Sequence, residues 1–156
     1  MKRITLPLVA LAGAVALAGC GGSSSGGSDK ALSKDEFVSQ ANAICAKANK
    51  AIKDLGQPSS PDQLADFTEK AYAASKEQVA ALKALTPPSA DSATITALWA
   101  TYDQLLGAEQ DVVDAAKDGD ASAMEAVIDA NTKLDEQASA AARAYGLTEC
   151  AKNAAA

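Results

Sequence analysis

The chain contains no histidine. That removes the commonest general base near neutral pH and the commonest imidazole metal ligand. Serine and cysteine nucleophile systems that depend on histidine go with it. Cysteine is scarce: Cys20, Cys45 and Cys150 are the only three in 156 residues, and they do not cluster as zinc ligands do. No G-x-x-x-x-G-K-S/T loop occurs, and most glycines lie near the amino end rather than after a strand. Catalysis would rest on carboxylates, tyrosines and lysines alone, so no catalytic residue, metal site or cofactor is expected. Basic residues are outnumbered, 14 against 20 acids, for a formal charge of −6. This counts against nucleic acid, which needs a basic surface. β-Branched residues are scattered without alternation, so no strand is expected.

What is present begins with Lys2 and Arg3, followed by an apolar run from Ile4 to Ala18 that ends in Leu17-Ala18-Gly19-Cys20. A basic start, a short apolar core and small residues at a cut site describe a signal peptide. The run is shorter than the ~20 residues of a spanning helix. A leucine, two small residues and a cysteine match the bacterial lipobox. The small residues fit the peptidase groove, and the thiol accepts a diacylglyceryl group before cleavage. The alternative is an ordinary secretory signal with a chance cysteine. The expectation is that residues 1–19 are removed and Cys20 is lipidated. Acyl chains such as palmitate then hold the protein at the extracytoplasmic face of the cell membrane. Residues 20–32, rich in Gly and Ser, read as a tether with a mean reach of roughly 20 Å.

Without Lys2 and Arg3 the bases fall from 14 to 12 against 20 acids, a formal charge of −8. That disfavours a polybasic grip on anionic lipid and leaves anchoring to the acyl chains. The charge is uneven. From Asp29 to Lys83 eight acids meet eight bases, whereas from Asp91 to Glu136 eleven acids meet only Lys117 and Lys133. With Cys20 acylated, Cys45 and Cys150 remain, and outside the membrane an even pair oxidises. The expected Cys45–Cys150 disulfide closes about 100 residues and is worth roughly 4–5 kcal/mol in the chain-entropy model.

Four helical segments follow from apolar residues recurring at three and four. The first spans Lys34 to Leu55, with a Ser33–Glu36 capping box, a Gly56 stop and an inward stripe of Phe37, Ala41, Ile44, Ala48, Ile52 and Leu55. The second spans Pro61 to Leu85, capped by Ser60 and Gln63, with Leu64, Phe67, Ala71, Val79, Leu82 and Leu85 inward before Pro87-Pro88. The third spans Asp91 to Lys117 with a broad face from Ile95 to Ala116. The fourth spans Ala121 to Tyr145 and is capped by Asp120 or Ser122, with a Ser122–Glu125 box. Met124, Val127, Ile128, Leu134, Ala138, Ala141 and Tyr145 point inward, and Gly146-Leu147 forms a left-handed stop. Short connections predict an all-α, up-down-up-down four-helix bundle over residues 33–150, roughly 35–40 Å long, with a disordered tail at 151–156. The disulfide constrains this arrangement. Cys45 sits near mid-height and Cys150 lies past the far end of the fourth helix, so the tail must climb back at most ~13 Å.

Glu109 stands amid Leu105, Leu106, Val112 and Val113, within the apolar face of the third helix. Asn131 has Val127, Ile128 and Leu134 around it. Across the turn near Gly119 the two fall at one height, where Thr68 or Tyr72, and Asn49, could reach them. A polar pocket for a small cation or amine is one reading; a hydrogen-bonded structural layer, or a glutamate that snorkels outward, is the commoner one. Asp118-Gly119-Asp120-Ala121-Ser122 hints at a calcium loop, but Ala123 and Asp129 stand where glycine and glutamate belong, so capping and a solvated acidic face are expected. Trp99 and Tyr102 fit the core, and Lys34, Lys47, Lys50 and Lys53 form an outer face.

Three segments together carry a resemblance: Phe37-Val38 with Ala41-Asn42-Ala43-Ile44-Cys45, then Leu85-Thr86-Pro87-Pro88, and Tyr145-Gly146-Leu147-Thr148-Glu149-Cys150. Over most of the expected mature chain the sequence resembles small alanine-rich envelope lipoproteins of actinobacteria. The resemblance implies an all-helical secreted domain with paired terminal cysteines, and it carries over no catalytic residue. The functional expectation is a non-catalytic envelope interaction or binding module, whose partner is an envelope protein or a small ligand.

Overall fold

Three of the four α-helices begin where a side chain satisfies one of their first free N–H groups, whereas the third starts after Asp91 without a side-chain cap. The computed structural model describes residues 31–155; the expected signal peptide, Cys20 and all but the last two residues of the tether lie outside the described residues. Helix α1 spans Lys34–Asp54, and Ser33 and Glu36 close the expected capping box. Helix α2 spans Pro61–Lys83, two residues shorter than expected. Ser60 Oγ accepts from Gln63 N, but the Gln63 side chain accepts from Ser59 instead of closing a box on Ser60. A 3-10 turn at Ser89–Asp91 leads into α3, Ser92–Lys117. Helix α4 spans Ala121–Tyr145 with Asp120 as its cap. The expected Ser122–Glu125 box does not form, because Ser122 Oγ donates to Asp120 instead. Among the described residues there is no strand.

The helices pack in sequence order, α1 on α2, α2 on α3 and α3 on α4. The fold is an all-α bundle of four helices with one disulfide. The seam between α1 and α4 is closed by another element. Gly146, at φ 103°, ends α4 in the left-handed region and turns the chain back. Leu147 is then fully buried, and a 3-10 helix, Cys150–Ala155, packs against both α4 and α1. Residues 151–155, expected to belong to a disordered tail, form part of this 3-10 helix, and residue 156 lies outside the described residues. Ala151 is buried and its carbonyl accepts from Ser139 Oγ at 2.8 Å. The return brings the Cys45 and Cys150 Cα atoms to 4.9 Å, and the disulfide forms. The tail can reach mid-height because two asparagines of α1 hold it. Asn42 donates to the Gly146 carbonyl and accepts from Glu149 N, and Asn49 donates to the Glu149 carbonyl.

Most of the core sits beside this return. Phe37, Leu82, Ile95, Leu98, Trp99, Ala138, Ala142 and Leu147 are all buried there. Phe37 meets the Tyr145 ring edge-on at 6.0 Å and the Trp99 ring at 6.3 Å. Tyr145 donates to Asp91 at 2.7 Å and carries Lys34 over its ring, while Leu32 N donates to the Thr86 carbonyl. The entry of the chain, the α2–α3 connection and the end of α4 are thus bound at one end, called here the upper end. Three expected inward residues fall elsewhere: Leu55 and Ile128 are exposed, as is Ala141. Ile128 and Leu55 belong to the lower half, where no tail lies between α1 and α4 to cover them.

Candidate functional site

The mid-bundle layer is organised around Glu109, which α3 carries one turn beyond Leu105 and half-buries. Burial raises its carboxyl above the usual glutamate range, and the charge of Asp135 on α4 raises it further. The Ser75 hydroxyl, facing it from α2, partly offsets the rise. Asp135 is itself raised, first by burial and then by Glu136. Tyr102 stands two turns before Glu109 on the same helix. Burial, with Asp135 adding, pushes its phenol up to about 12. The Tyr102 hydroxyl is buried and has no hydrogen-bond partner.

The four residues expected to build this layer are not joined by any hydrogen bond to one another. Asn131 Nδ2 turns back to the Val127 carbonyl at 2.8 Å, and Thr68 Oγ1 turns back to the Ala65 carbonyl at 3.0 Å. Short polar side chains on a helix find the preceding turn before they find another helix. Tyr72 is half-buried with Lys76 over its ring. Asn49 is committed to the C-terminal return, with its Oδ1 buried and unpartnered. The groups that do face Glu109 are Ser75 and Asp135, which the sequence reading passed over. Asp135 carried little signal: Leu134 and Ala138 flank it at one and three residues, but it lies sixteen residues past Gly119 and Glu109 ten before it, so counting around the turn does not pair them.

A second feature lies at the lower end. The α1–α2 loop and the α3–α4 turn meet there around a groove of about 380 Å³. Pro58, Pro61, Leu64, Ala116 and Met124 give it an apolar lining, and Asp120 is its one acid. The Ala123 N–H and the Ser122 hydroxyl hold the Asp120 carboxyl below the usual aspartate range. Asp120 therefore acts as a helix cap. Among the described residues no group of three or more Cys, Asp or Glu side chains is arranged to hold a metal ion, and no helix is long and apolar enough to cross a membrane.

The outer surface of α3 and α4 is acidic and largely uncompensated. Ion pairs among the described residues involve Asp54, Asp66, Glu69, Asp103 and Glu149. Asp111, Asp114, Asp118, Asp120, Glu125 and Asp129 take part in none of them, and Lys117, the one base in that stretch, pairs with Glu69 at 3.3 Å. No family model, no curated protein and no solved structure matches this sequence.

Proposed function

We propose that the protein is a lipid-anchored, non-catalytic interaction module held outside the cell membrane. The observation that carries this reading is the run of six unpaired acids from Asp111 to Asp129. A surface of one sign steers oppositely charged partners and is easily reached from solution. The lipobox at Leu17 to Cys20 and the Gly/Ser stretch after it supply the anchor, and the lack of histidine leaves little for catalysis. Intact-mass measurement of protein from membranes tests the covalent part. A diacylglyceryl group on an amino-terminal Cys20 and two hydrogens missing from the other cysteines are expected. Unprocessed chain free in the cytosol with reduced thiols would end the proposal. Replacing Asp111, Asp114 and Asp118 by asparagine should weaken in-situ cross-linking to envelope partners.

A second reading, binding of a small cation or amine in the mid-bundle layer, is favoured by one observation. The unpartnered Tyr102 hydroxyl lies near Asp135, which also faces Glu109. A thermal-shift screen with cations and amines separates the readings. Stabilisation that disappears in Glu109→Gln supports a binder. No shift with any compound removes this second reading.

A further inference from the structure

A helix stripe is buried only where a neighbouring element covers it. At the lower end that cover is incomplete. The C-terminal 3-10 helix fills the seam between α1 and α4 beside the disulfide, and below it α1 and α4 make no extensive contact of their own. Met124 lines the groove, and Ile128, one turn further along α4, is 51% exposed. Leu55, at the end of α1, is 38% exposed. These two are the exposed large apolar residues among those described.

Acids predominate around the groove. Asp62, Asp118 and Glu125 are exposed near the lining residues Pro61, Gly119 and Met124, and Asp120 is in the lining itself. The nearest base in sequence, Lys117, is held by Glu69. A second copy of this chain would bring the same acidic end against its own, and like charges set face to face disfavour the pairing. An anionic lipid surface is disfavoured for the same reason. The groove also lies at the end of the bundle opposite Leu32, where the chain enters the fold. The 21 residues of α1 set the two ends about 30 Å apart.

We propose that this groove docks a polypeptide segment of a partner protein in which bulky apolar side chains are flanked by lysine or arginine. The apolar side chains displace water from Leu64, Ala116 and Met124, and the flanking cations meet the acids at the rim. The site rests on the reading of an outward-facing module, because attachment beyond Leu32 turns the groove away from the membrane.

Fluorescence anisotropy with the purified full chain tests it. Three labelled peptides of equal length serve as probes: leucine–lysine, leucine–glutamate and serine–lysine. The leucine–lysine peptide is expected to bind at least tenfold tighter than either of the others. Ala121→Arg, at an exposed residue of the lining, should weaken that binding at least tenfold. Met124→Gln, which adds no charge, should weaken it several-fold, and a melting curve verifies that each variant folds. Asp118→Asn with Glu125→Gln should reduce both the affinity and its salt dependence. Equal binding of the serine–lysine or the leucine–glutamate peptide overturns the proposal, as does unchanged binding to both groove variants. Cys20→Ser separates this site from the anchoring reading. It abolishes membrane attachment if that reading holds, and it leaves peptide binding unchanged.

Discussion

At the upper end, Phe37, Leu82, Ile95 and Leu147 are sealed from solvent, with Trp99 and Tyr145 packed around Phe37. At the lower end only Val113 is fully buried, with the small side chains of Ala48 and Ala115 mostly covered, while Ile128 stands exposed. Helix content is the same at both ends, so helix formation does not make the difference. It comes from the aromatic residues and the return of the tail. The chain has only six aromatics, and Phe37, Trp99, Tyr102 and Tyr145 lie in the upper half, whereas Phe67 and Tyr72 in the lower half remain half-exposed. The disulfide, Asn42 and Asn49 then seat a fifth packing element on the upper seam alone. Stability is concentrated at the end where Leu32 leads into the bundle, leaving the opposite end free to carry a groove.

The largest expected effect that sharpens this contrast is removal of the latch. Cys45→Ala with Cys150→Ala, at a sequence separation of 105, should cost about 4–5 kcal/mol in denaturant unfolding. Amide exchange should accelerate most around Leu147 and Ala142. A loss under about 1 kcal/mol would mean that hydrogen bonds alone seat the tail. Next comes a matched pair of truncations. Phe37→Ala should cost about 3–5 kcal/mol, since the ring is wholly enclosed. Phe67→Ala, half-buried in the lower half, should cost about 1–2 kcal/mol. Equal losses in chemical denaturation would break the comparison.

A smaller effect is expected in the layer between the two ends. Glu109 and Asp135 have folded-state carboxyls raised by burial. Between the unfolded value, about 4, and the raised folded one, the native state binds more protons than the unfolded state. Stability contributed by these groups therefore falls as pH rises through that window and is recovered on acidification. Glu109→Gln should flatten this slope in melts recorded across the mildly acidic range and should raise the melting temperature at pH 7. A variant with the parent's slope would show that Glu109 is as well solvated folded as unfolded. Smallest of all, Ile128→Thr should change stability by no more than about 0.5 kcal/mol. A larger loss would place Ile128 under cover that the exposed surface does not provide.

The helix ends were largely legible because capping is local. Ser33, Ser60, Asp120 and Gly146 act on backbone groups within a few residues, and each does so here. The inward stripes were legible where another element lies opposite, as for Phe37, Leu82 and Trp99. They misled at Leu55, Ile128 and Ala141, because a 3.6-residue period marks an apolar face without telling whether anything covers it. The candidate layer was half legible. Glu109 stood out against its apolar neighbours, but Asn131 and Thr68 had closer partners in their own helices, and Ser75 and Asp135 look like surface residues when read along one helix.

Sequence alone determined the all-helical class, most of the places where the helices begin and end, and, once Cys20 is set aside at the lipobox, the expected pairing of the two cysteines left, Cys45 and Cys150. These depend on local hydrogen bonding and on counting, neither of which needs the packed fold. Only the tertiary structure decided that the tail returns as a 3-10 helix, that Asn42 and Asn49 hold it, and that one end of the bundle is sealed while the other stays open. Those outcomes depend on which helix lies beside which, and residues about 100 positions apart meet only after the chain has packed.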